Sequence, residues 1–66
     1  MERQEFLLQE KGLELIELFA QIDAIAVLHK DQRKVAEIHE EGFYFYDQNT
    51  MIDAEMIELI NLIQGK

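Results

Sequence analysis

The sequence predicts a small α+β domain over residues 1–66, built from a long N-terminal helix, a β-hairpin and a short C-terminal helix, and paired into a homodimer. Three observations point there. Apolar residues recur at three- and four-residue spacing as far as residue 30. Beyond them, "KVAEIHEEGFYFYD" reads as two β-prone runs about Gly42. Finally, a 66-residue chain buries little surface, and this one has no cysteine. Disulfides and the usual zinc ligand sets are closed to it, which leaves association with a second copy as the remedy.

The long helix is expected from Glu2 to about Lys30, a stretch without proline or asparagine and with one glycine. Glu2 and Glu5 stand at its start, and His29, Lys30, Arg33 and Lys34 at or just past its end, the order that complements a helix dipole. Such a helix would be roughly 40 Å long, more than a domain of this size needs. On a helical wheel its apolar residues cover more than one side, more than a hairpin and a short helix can bury. Leu8, Leu15, Leu18, Ile22 and Ile25 are therefore the expected dimer interface.

Two features compete with that helix. "AIAVLH", residues 24–29, can form a third strand, with Ile25 and Val27 alternating with small residues; the lack of a turn signal between Phe19 and Ala26 favours the helix. Gly12 costs about 0.5–1 kcal/mol inside a helix relative to alanine. It marks either a close approach by another helix or a break that leaves residues 2–10 as a separate short element.

In the hairpin, "FYFY" concentrates four of the chain's six aromatic residues. Successive strand side chains point to opposite faces, so Phe43 and Phe45 share one face and Tyr44 and Tyr46 the other. With Glu41 and Gly42 as a two-residue turn, Ile38 lies opposite Phe45 and His39 opposite Tyr44. One face then carries Ala36, Ile38, Phe43 and Phe45 and suits a dry core. The other carries Val35, Glu37, His39, Tyr44 and Tyr46, with hydroxyls that need partners.

The last helix is expected over residues 51–64. Its N-cap is either Thr50 or Asp53, the latter with Ile52 and Ile57 as a hydrophobic staple. Ile52, Met56, Leu59, Ile60 and Ile63 form the apolar stripe, and Gly65 ends the helix.

Charge and composition then sort the function classes. Fourteen acidic residues against six basic ones give a formal charge of −8. That balance opposes direct binding to nucleic acid or anionic lipid and favours a basic protein partner. No apolar run approaches a membrane span, and "MERQEF" lacks the basic flank and apolar core of a secretory signal, so a cytoplasmic protein is expected. Glu37 and His39 project from one strand face, yet two potential ligands do not make a metal site. There is no serine or cysteine nucleophile and no glycine-rich phosphate loop. No enzyme activity, cofactor or metal is expected, and no stretch identifies a family.

The reading is a small acidic protein–protein interaction or regulatory adaptor protein acting as a homodimer. Its partner surfaces are Glu37, His39, Tyr44 and Tyr46 on the hairpin and an acidic stripe of Glu10, Glu14 and Glu17 on the long helix. The alternative is an acidic inhibitor that mimics nucleic acid and blocks a DNA-binding protein through that stripe.

Overall fold

A computed structural model of the chain describes residues 2–16, 24–47 and 49–66. Helix α1 (Glu2–Lys11) is followed by strands β1 (Glu14–Ile16), β2 (Ala24–Lys30), β3 (Arg33–His39) and β4 (Gly42–Phe45), and then by helix α2 (Ala54–Ile63). The strands form one antiparallel sheet in chain order β1-β2-β3-β4. The α+β class is the expected one, with a sheet larger than a hairpin.

The first helix stops well short of Lys30, and Gly12 is the reason. It sits at φ +66°, a left-handed conformation that glycine adopts without a Cβ penalty. The Gly12 N–H donates to the Gln9 carbonyl at 3.1 Å and the Leu13 N–H to the Leu8 carbonyl at 2.8 Å. This pair of bonds is a Schellman motif, which satisfies carbonyls a helix end leaves open. Of the two readings of Gly12, the break is the one observed. Among the described residues no helix approaches it; a Cβ at this position would meet Lys30 Cε at 3.8 Å. Residues 24–30 are strand, as the competing reading allows, and Leu18 and Ile22 lie outside the described residues.

"KDQRK" is the turn of a hairpin rather than the exit from a helix. Lys30 pairs with Arg33, and Asp31 and Gln32 between them have φ of 52° and 66°. Two successive positive φ values make a type I′ turn, whose twist matches that of the flanking strands. His29, Lys30, Arg33 and Lys34 therefore gather at the β2–β3 end of the sheet.

At the other hairpin the turn is Glu40 and Glu41, with His39 paired to Gly42. Ile38 consequently faces Phe43, Glu37 faces Tyr44 and Ala36 faces Phe45, instead of the Ile38–Phe45 and His39–Tyr44 pairs expected. Moving a two-residue turn by one position shifts the partners by two, so every side chain keeps its face.

Both helices pack on one face of the sheet. Leu7 of α1 and Met56, Leu59 and Ile60 of α2 share a core with Leu28, Val35, Ala36 and Ile38 of the central strands. Val35 is the exception to simple alternation. β2 advances one residue, Leu28 to His29, while its partners on β3 advance two, Ala36 to Lys34, which leaves Val35 as the extra residue of a bulge. The bulge turns Val35 into the core, away from the tyrosine face where alternation places it.

Helix α2 is held at both ends. Asp53 is its N-cap, accepting from the Met56 N–H at 2.8 Å, while Thr50 hydrogen-bonds Asp47 instead. Gly65, at φ +77°, closes the other end with a second Schellman pair, Gly65 N–H to Leu62 O and Lys66 N–H to Asn61 O. Asp53 also receives Lys11 Nζ at 3.0 Å, which joins the end of α1 to the start of α2. Arg3 grips Glu58 through Nε and an Nη at 2.7 and 2.9 Å, so the two helices run antiparallel. Gln64 Nε2 donates to the carbonyls of His39 and Gly42, which pins the end of α2 to the β3–β4 turn.

Candidate functional site

The face of the sheet opposite the helices is built by the same strand pairing. Its central row is Ile16, Val27, Glu37 and Tyr44, one residue from each strand. A second row is Glu14, His29 and Lys34. Ile25, the extra residue of a bulge in β2 between Ala24 and Ala26, adds a further apolar side chain. Val27 is closed over, but Ile16, Ile25 and Tyr46 are each 40–42% exposed and Tyr44 58%. Among the described residues no secondary-structure element covers this face.

Glu37 organises the tyrosine end. One carboxylate oxygen accepts from the Tyr46 hydroxyl, and the other lies 2.8 Å from His39 Nε2. Tyr44 packs edge-on against Tyr46, with ring centroids 5.3 Å apart. Both bonds act on the titration of Glu37. The Tyr46 hydroxyl, and after it His39, favours the charged carboxylate and holds Glu37 below the ordinary carboxylate range. In return, the hydrogen bond to Glu37 pushes the Tyr46 phenol up to about 12. The expected sharing of one face by Glu37, His39, Tyr44 and Tyr46 is thus what the structure places together. Glu37 and His39 meet each other rather than diverging as two arms of a metal site, and no group of three or more potential metal ligands occurs among the described residues. The Nδ1 of His29, in the next row, is buried without a hydrogen-bond partner among the described residues.

Of the acidic stripe, Glu10 lies on α1 and Glu14 on β1, on either side of the helix end at Gly12, and Glu17 is outside the described residues. Of the residues expected at a dimer interface, Leu8 and Leu15 pack half-buried against the chain's own core, while Ile25 lies on the open face. Sequence reasoning missed Ile16, because its spacing from Leu13 and Leu15 fits a helix as well as a strand.

A larger groove of about 1040 Å³ lies at the β2–β3 end. Lys11, Lys30, Arg33 and Lys34 line it against Glu10, Asp31 and Asp47, so its charges nearly cancel. Comparisons with protein-family models, with curated protein sequences and with solved structures give no match. No helix among the described residues is long and apolar enough to cross a membrane.

Proposed function

We propose that the chain is a non-catalytic protein–protein interaction module, an adaptor or regulator of the cytoplasm, and that two copies pair through the open face of the sheet. The observation that carries this reading is the contrast between the two sides of one sheet. One side is sealed by two helices; the other presents Ile16, Ile25, Tyr44 and Tyr46, exposed on one face and spread from β1 to the end of β4. Exposed apolar and aromatic side chains that share one face of a small domain suit an interaction surface. Tyrosines suit such a surface because they combine apolar area with a polar tip at little conformational cost. The Glu37 bonds to Tyr46 and His39 hold the patch in shape before a partner arrives.

A second copy is the favoured occupant because a two-fold axis uses one patch twice. The acidic charge of the chain then leaves other surfaces for a basic partner. The nucleic-acid mimic loses support, since its charges need one long face and Glu10 and Glu14 sit on different elements. Light scattering on wild type and Ile25→Lys tests the reading. Wild type should run near twice 7.8 kDa, and the variant, with a charge in the patch, near 7.8 kDa with its fold intact. Equal masses for the two proteins would refute pairing through this face.

A further inference from the structure

The rim of the sheet at β4 carries features that neither the core nor the open face uses. β4 is the last strand in the order, so one of its sides has no strand neighbour among the described residues. Tyr46 N–H donates to Val35 O at 2.8 Å and His39 pairs with Gly42. By antiparallel alternation the main-chain groups of Gly42, Tyr44 and Tyr46 point toward β3, and those of Phe43 and Phe45 point outward. Edge strands are normally protected by charge, proline or a cover. This one is Gly-Phe-Tyr-Phe, with no charged residue and no proline.

Beside the unprotected edge, on the helix side, lies a small pocket of about 200 Å³ lined by Phe43, Ile57 and Ile60, with Glu41 and Lys66 also on its wall. Phe43 and Ile57 are both partly exposed there, at 42% and 39%. A free strand edge next to a pocket sized for one side chain is the arrangement that accepts an added strand. Main-chain bonds hold the peptide, and the pocket selects one of its residues.

We propose that the β4 edge binds an extended peptide of a protein partner, antiparallel or parallel to β4, with an apolar side chain in the Phe43–Ile57–Ile60 pocket and a basic residue on the flank beside Glu40 and Glu41. The inference rests on the reading of the chain as an interaction module but uses a different surface from the open face. The basic flank follows from charge. Glu40 and Glu41 are exposed at one end of β4, two acids against the single Lys66 of the pocket wall, whereas Asp47 at the other end shares its groove with Lys30, Arg33 and Lys34. The same charges argue against a second copy at this edge. Two-fold pairing that sets Phe43 of one copy against Phe45 of the other would bring Glu41 against Asp47 at both ends, a like-charge arrangement that opposes pairing.

Selection of random displayed decapeptides on the wild-type protein tests the proposal. Enriched peptides should carry alternating apolar residues with a lysine or arginine at one flank, and should shift the amide resonances of Phe43 and Phe45. Ile57→Gln, on an exposed helix position that tolerates glutamine, should weaken them about tenfold through loss of the pocket. Ile25→Lys should leave their affinity within about twofold, whether or not it separates the pair, so failure of the open-face reading and failure of this one are distinguishable. A selection that enriches nothing, peptides without a basic flank, or equal binding to Ile57→Gln would each overturn it.

Discussion

The two faces of the sheet are made by the same strands in the same register, yet they have opposite fates. On the helix side, Ala26, Leu28, Ala36 and Ile38 are at most 2% exposed. On the other, the matching row runs Ile16, Val27, Glu37, Tyr44, and its two outer members stay in contact with solvent. Alternation sends residues to a face, but it does not say how well that face is covered. Coverage depends on where the helices dock and on how close a residue lies to the sheet's edge.

The largest expected effect is therefore an inequality between faces. Ile38→Ala should cost about 2–5 kcal/mol, the usual range for a buried large-to-small change, and unfold much of a domain this small. Phe45→Ala should cost less, because β4 is an edge strand and leaves Phe45 half-buried. Tyr44→Ser should fall within about 1 kcal/mol in a single copy of the chain. Denaturant melts at low concentration measure all three, and a loss at Tyr44 as large as that at Ile38 would break the comparison.

A smaller effect probes how the helix side is closed. Gly12→Ala places a Cβ in a left-handed conformation, which costs about 1–2 kcal/mol for an L-residue. Helix α1 would either absorb that strain or extend past Lys11 and draw Leu13 out of the core, where it is buried. Thermal melts should show the loss, with the sheet's amide pattern retained at low temperature.

That glycine also explains what was legible in the sequence. Gly65 follows a helix whose apolar stripe and end are plain, so its role could be read, although the start expected at residue 51 lies at Ala54, after the Asp53 cap. Gly12 has the same geometry but is followed by Leu13, Leu15 and Ile16, whose spacing continues a helical pattern as readily as it starts a strand. The β2–β3 turn was hidden for a related reason. Its two left-handed positions are Asp31 and Gln32, where Asn-Gly would have announced a hairpin. The sorting of Phe43 and Phe45 from Tyr44 and Tyr46 was legible because parity survives a two-residue change of partners. Val35 was not, because a bulge breaks parity locally.

The smallest effect concerns the open face alone. With Tyr46 raised to about 12, its bond to Glu37 adds stability that is complete below the ordinary phenol value near 10. That contribution is lost as pH rises from about 10 through about 12. Glu37 is shifted downward, so its contribution is present above the ordinary carboxylate range and lost as pH falls through its lowered value. Carbon-13 titration of the tyrosine rings should find Tyr46 near 12, and Glu37→Gln should bring it down toward its ordinary value by removing the charge. A Tyr46 value unmoved by that change would detach the phenol from Glu37.

Whether the open face is open in one copy and closed between two is tested most directly by a soluble paramagnetic probe, with the relaxation of each residue followed as protein concentration rises. At the lowest concentration Ile16, Ile25, Tyr44 and Tyr46 should relax strongly and Leu28 and Ile38 hardly at all. As the pair forms, the first group should lose that enhancement together, while exposed α1 residues such as Glu5 and Gln9 keep theirs. Unchanged relaxation of the open face at every concentration, or protection that appears on the helices instead, would contradict pairing through this side of the sheet.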